Sequence, residues 1–212
     1  MELVVCATEE LKTELLAWDL KDNARVHWID KPENFFDHKR ADAFIDLLFE
    51  DSAERTKILD KLAGKPVIIN AVIPTLSGLP AGIARINGWN GFLKRSLIEA
   101  SGNDKCEEVA EIFSHFNRTV EWIPDIPGLI SARVISMIIN EAYFALEEEL
   151  STREEIDTAM KLGTNYPYGP FEWSRLIGLE KIYELLNTLS IKEKRYQPAP
   201  LLVKEALLNT KE

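Results

Sequence analysis

Chemistry near neutral pH needs side chains that can take a proton, attack, or ligate a metal, and this chain carries few. There are three histidines, His27, His38 and His115, and two cysteines, Cys6 and Cys106. Two cysteines make neither a disulfide framework nor a metal quartet, and both read as small apolar residues. The histidines read as structural. His27 sits beside Trp28 and Ile29 in a strand-like run, His38 in a charged loop, and His115 near a helix end, where a cationic side chain suits the dipole. The first strand-to-helix turn is the other place to look. A dinucleotide needs glycines there, so that the backbone can turn tightly and approach a pyrophosphate at the helix N-terminus. Here the turn is Ala7-Thr8-Glu9-Glu10-Leu11-Lys12, without a glycine. Thr8 reads as an N-cap and Glu9 and Glu10 as first-turn residues that complement the dipole. Asp30, closing the second strand-like run, stands where a carboxylate would bind an adenosine ribose. A solvated strand-end aspartate is the plain alternative.

The elements that must position these residues change character along the chain. Strand-like runs at Leu3–Ala7, Val26–Ile29, Ala43–Phe49, Pro66–Val72, Ala84–Trp89 and Thr119–Ile123 are separated by helical patterns at Glu9–Leu20, Asp51–Leu62 and Cys106–Phe116. That alternation predicts an α/β domain over 1–124, with a parallel sheet and right-handed crossovers. Pro124 and Pro127 mark the boundary. From Asp125 the pattern is all helical. Ile130–Glu147 is apolar nearly all round and predicts a helix covered on every face. Ser151-Thr152-Arg153-Glu154 fits a capping box opening a helix through Leu162 that stops at Gly163. A helix opening on Pro170 and ending near Gly178, then Leu179–Leu189 and Pro200–Leu208, complete an all-α domain over 125–212.

The 212 residues hold 25 Lys plus Arg against 35 Asp plus Glu, a net charge of −10 that argues against nucleic acid as a partner. No apolar run approaches the roughly 18 residues a membrane span requires. The opening Met1–Cys6 lacks a signal peptide's basic and long apolar segments. A cytoplasmic protein with no membrane partner is expected.

Four motifs in the second part resemble the 3-hydroxyacyl-CoA dehydrogenase family. They are Asp125-Ile126-Pro127-Gly128-Leu129-Ile130 with Arg133; Asn140-Glu141-Ala142; Ile156–Gly163 followed by Tyr166-Pro167-Tyr168-Gly169-Pro170-Phe171-Glu172; and Pro198-Ala199-Pro200-Leu201-Leu202. Ala41–Asp51 and Asn70 match the family's first domain more loosely. The resemblance implies a shortened Rossmann-like domain joined to an all-α dimerisation domain, with NAD as cofactor, acyl-CoA as ligand and a homodimer through the helices.

It also implies where chemistry should sit. The family's base is a histidine in a His-Phe-Phe-Asn-Pro segment, oriented by a glutamate twelve positions on. The corresponding stretch here is Asn87-Gly88-Trp89-Asn90-Gly91-Phe92. Asn90 matches the family's asparagine, Glu99 the orienting glutamate, and Asn87 stands at the histidine position. Asparagine cannot accept a proton. The family's polarising serine and asparagine fall on Val72 and Ala132, and the Gly-rich closing tail has no counterpart before Glu212. The expected reading is a non-catalytic dimeric relative, without a bound cofactor, that keeps a cleft for an acyl-CoA-type molecule. The alternatives are an active NAD-dependent dehydrogenase, with NAD at Asp30, and a different reaction using Glu99 as acid or base.

Overall fold

The computed structural model describes residues 1–102 and 106–209. The chain divides into two compact units, Met1–Leu129 and the remainder from Ile130.

In the first unit the described residues form one seven-stranded sheet. The strands are β1 (Glu2–Cys6), β2 (Arg25–Ile29), β3 (Ala43–Asp46), β4 (Val67–Asn70), β5 (Ile83–Ile86), β6 (Leu97–Ser101) and β7 (Thr119–Trp122), in the order β2-β1-β3-β4-β5-β6-β7. One face carries Leu3, Val5, Ile45, Ile68, Ile86 and Ile98 against helices α1 (Glu9–Leu15) and α3 (Cys106–His115). The other carries Val4, Cys6, Phe44, Val67 and Ile69 against Phe35, from a short 3₁₀ segment, and Leu59 and Leu62 of and just after α2 (Ala53–Lys61). Strands buried on both faces read as continuous apolar runs, which made them visible in the sequence.

The sheet departs from an all-parallel one at β6, which runs antiparallel to β5 with Arg85 opposite Ser101 and Ile86 opposite Ala100. The connection is too short for a crossover helix, so the chain must return. Polar neighbours and only two large apolar residues hid this strand. Helix α1 also ends five residues before its apolar spacing does. Beyond it the Trp18 indole donates to Lys94 O at 2.9 Å, fastening the loop that follows β5.

The second unit comprises α4 (Ser131–Glu147), α5 (Arg153–Thr164), α6 (Pro170–Ile177), α7 (Leu179–Ser190) and α8 (Pro200–Asn209). Two buried polar side chains explain its motifs. Asn140 of α4 accepts from Ala199 N at 2.8 Å and donates to Gln197 O at 3.0 Å, clamping the Pro198-Ala199-Pro200 segment that starts α8. Asp157 of α5 accepts from Phe171 N at 2.7 Å and Glu172 N at 3.2 Å. It supplies the cap that Gly169, at the N-cap position of α6, cannot provide. Gly169 is required because a Cβ there would lie 2.4 Å from the Asp157 carboxylate.

Two details differ from the sequence reading. The capping box of α5 is Thr152 with Glu155, and the helix passes through Gly163 to end at Asn165, a left-handed residue with φ 55°. Helix α4 is not covered on every side: Ile130, just before it, and Val134 are 51% and 47% exposed.

Replacing Asp157 by alanine strips two buried helix-terminal amides of their acceptor. We expect a loss of about 1–3 kcal/mol in urea unfolding followed at Trp173, the buried tryptophan of α6. Asp157→Asn, which keeps one acceptor oxygen, should lose less.

Candidate functional site

Ligands of open α/β sheets bind beyond the carboxyl ends of the strands, where the strand order reverses. Here β2 and β3 flank β1, so that point lies at Cys6–Thr8 and Asp46–Leu47. Thr8 is the N-cap of α1, its hydroxyl accepting from Leu11 N at 3.4 Å. The Glu10 carboxyl is held below its usual range by its own backbone amide and by the Thr8 hydroxyl. The helix start therefore carries its own anion. Asp30 is exposed at the carboxyl end of β2.

Beneath this turn, Asp46 is fully buried 3.2 Å from Arg55 of α2. Arg55 also donates to Leu48 O at 2.8 Å, and Leu48 N donates to Asp46 at 3.1 Å. Burial pushes the Asp46 carboxyl up to about 6 despite the Arg55 charge. The buried Cys6 thiol, beside it, is pushed up to about 12, first by burial and then by Asp46. A thiol in that range is inert.

The second locus lies on β5 and β6. Asn70 of β4 donates to Leu47 O and Gly88 O, each at 3.1 Å, and accepts from Gly88 N at 2.9 Å, so one side chain stitches three strand ends together. A Cβ on Gly88 would meet Asn70 at 2.7 Å. Beside it, Asn87 N donates to Glu99 O at 3.2 Å. The β5–β6 register sets these residues opposite one another, hence on one face. The β6–β7 register adds Glu121 next to Glu99. Asn87 is 3% exposed; its Oδ1 accepts from Trp89 N at 3.3 Å, while its Nδ2 has no partner among the described residues. Asn87 and Glu99 are thus joined through their backbones and share one face of the sheet. Neither is a base of histidine's kind. Asn90 lies in the turn that follows, half-buried. Asp30 is four strands away, roughly 19 Å at the usual spacing.

Val72 and Ala132 are buried apolar positions. The Val72 carbonyl accepts from Gly128 N at 2.7 Å. Arg85 of β5, with no exposed surface, ties the same region together: it donates to Asp125 at 2.5 Å, Ala71 O at 2.8 Å and Ile126 O at 2.7 Å. The histidines stand outside this arrangement. His27 pairs with Glu2 at 2.8 Å and packs on the ring of His38. His115 is buried against Asn23 at 3.1 Å, and burial lowers its pKa, so it favours the neutral form and not a dipole-stabilising cation. Among the described residues no group of three or more His, Cys, Asp or Glu could hold a metal, and no helix is long and apolar enough to cross a membrane.

The Asp46–Arg55 pair, the Arg85–Asp125 pair and the Asp157 cap were not foreseen. A signal existed for one of them: a charged Arg85 inside an apolar strand run requires buried partners.

A mostly parallel sheet of this order, followed by an all-helical unit, defines a Rossmann-like α/β protein with a helical second domain. The fold matches an (S)-3-hydroxybutyryl-CoA dehydrogenase from Ralstonia eutropha with TM-score 0.75 at 17% identity, over 98% of this chain and 94% of that one. Residues 128–211 match the 3-hydroxyacyl-CoA dehydrogenase C-terminal domain. The chain is 45% identical over 95 residues to the 3-hydroxyadipyl-CoA dehydrogenase of Escherichia coli K12, covering 44% of this chain and 20% of that protein. It is 27% identical over 184 residues to a probable 3-hydroxybutyryl-CoA dehydrogenase of Bacillus subtilis, covering 78% of this chain and 64% of that protein. The chain thus spans less than two thirds of these two relatives. Residues 128–211 thus carry that family's C-terminal domain, and most of the chain is similar to 3-hydroxybutyryl-CoA dehydrogenases.

The Asp46 shift carries a pH dependence. Its folded value, about 6, exceeds the unfolded value of about 3.9, so the folded state holds the proton more tightly. Stability from this group is greatest below pH 4 and falls as pH rises through 6. Urea unfolding between pH 4 and 7 should show that decline, on the order of 1–3 kcal/mol, and Asp46→Asn should remove it.

Proposed function

We propose that this protein is a member of the family that neither holds NAD nor transfers hydride. Residues 1–124 then form a degenerate nucleotide domain and 125–212 the family's helical dimerisation domain, with an acyl-CoA-type molecule as ligand. The observation that carries this reading is the start of α1. A pyrophosphate would need the amides that Thr8 and Glu10 already engage, without glycines to let it approach, and against two carboxylates. Residues at the switch point do not fit the dinucleotide. Asn87 supports the same conclusion: a general base contributes roughly 10²–10⁴-fold, and an amide cannot replace it. Two free thiols among the described residues accord with a reducing cytoplasm.

The names of the relatives favour the alternative, an NAD-dependent 3-hydroxyacyl-CoA dehydrogenase. Turnover separates the two. With 3-hydroxybutyryl-CoA and NAD, we expect no NADH absorbance above background from the wild type, from Asn87→His, or from Asn87→His with Val72→Ser and Ala132→Asn. A restored histidine could pair with Glu99, but positioning supplies about 7–11 kcal/mol of such a barrier and nothing seats the nicotinamide. Turnover by the wild type would establish the alternative. Turnover by the single variant alone would show that the nucleotide seat survives.

A further inference from the structure

The loop that follows β5 holds the dipeptide Asn-Gly twice, as Asn87-Gly88 and Asn90-Gly91. In this dipeptide the asparagine is open to attack by the next backbone nitrogen, because a glycine without Cβ lets that nitrogen approach the side-chain carbonyl carbon. The two pairs are alike in sequence and differ in their surroundings. At the first, Gly88 N donates to Asn70 Oδ1 at 2.9 Å, a neutral amide oxygen that takes no proton. Asn87 Oδ1 in turn accepts from Trp89 N at 3.3 Å, and the residue is shut away from water at 3% exposure.

The second pair is held otherwise. Phe92 N donates to Trp89 O at 3.0 Å, closing a turn with Asn90 and Gly91 at its centre. Gly91 takes φ 91° there, which a side chain would oppose. Its N–H donates to Glu14 Oε1 at 2.6 Å, a short bond to a carboxylate. The other oxygen, Glu14 Oε2, is buried with no hydrogen-bond partner among the described residues, so no donor there competes for the carboxylate. Asn90 is half-buried, and its side chain makes no hydrogen bond among the described residues. A backbone nitrogen, a base within hydrogen-bond reach of its proton, and an unheld amide carbon meet in one turn.

We infer that Asn90 is a self-modification site, converted to aspartate and isoaspartate by cyclisation onto Gly91 N with Glu14 as the base. Glu14 Oε1 takes the Gly91 proton as that nitrogen attacks Asn90 Cγ. The Cγ–Nδ2 bond breaks, and the side-chain nitrogen leaves as ammonia with the proton returned by Glu14. Water then opens the cyclic imide at either carbonyl. The product sets a second carboxylate beside Glu14, where like charges repel and loosen the loop from α1.

Fragmentation mass spectrometry tests this on the full chain, incubated folded for days at neutral pH in water enriched in heavy oxygen. Opening of the imide writes one heavy oxygen into the product, which separates new conversion from earlier damage. Label should accumulate at residue 90 and not at residue 87. In urea the two pairs should convert at similar rates, since the contrast belongs to the fold. Glu14→Gln keeps an acceptor for Gly91 N but no base; with circular dichroism confirming its fold, it should slow conversion at 90 about tenfold or more. No label at 90, or equal label at 87 and 90 in the folded chain, would overturn the site. An unchanged rate in Glu14→Gln would overturn the role of Glu14.

Discussion

A helix N-terminus presents amides without intrahelical partners, and they can be satisfied from within the chain or by a bound anion, but not by both. At the start of α1 the chain supplies its own groups: the Thr8 hydroxyl accepts from Leu11 N, and the Glu10 carboxyl is held below its usual range by its own backbone amide and the Thr8 hydroxyl. Only seven residues follow before the helix ends. This capped helix start lies at the point where the strand order would place a ligand. The Asp46–Arg55 pair beneath it is consistent with that change. A buried ion pair contributes little net stability, because desolvation offsets its attraction, but it fixes how α2 begins relative to β3.

The helical unit shows the opposite balance. Its motifs correspond to contacts that hold helices together. Asn140 clamps the start of α8, and Asp157 caps α6 across a glycine that admits it. Arg85 does comparable work in the sheet unit, gathering Asp125 and three nearby carbonyls around one buried guanidinium. These motifs report a scaffold. They say nothing of hydride transfer.

Much of this was legible in the residues. Continuous apolar runs marked β1, β3 and β4 because both faces of those strands are buried. Thr8, Glu9 and Glu10 announced the helix start, and Pro170 opened α6 as a first-turn proline. What escaped was non-local. Strand β6 has weak patterning of its own and is defined by pairing with β5 and β7. The cap of α6 comes from a residue on α5, so neighbouring sequence could not show it. In α5 a serine and a threonine stand side by side before two glutamates, and only geometry chose Thr152 with Glu155. Glu99 was matched to the position twelve after Asn87 by family spacing alone; the antiparallel β5–β6 register, which that spacing did not reveal, joins their backbones.

The central claim is that the first turn cannot seat a dinucleotide, and calorimetric titration of the purified protein with NADH addresses it without depending on any reaction. The account predicts no heat of binding and no saturation up to millimolar ligand. A single-site isotherm with a micromolar dissociation constant, about 8 kcal/mol of binding free energy, would contradict it and place a working nucleotide site where Thr8 and Glu10 now close the helix.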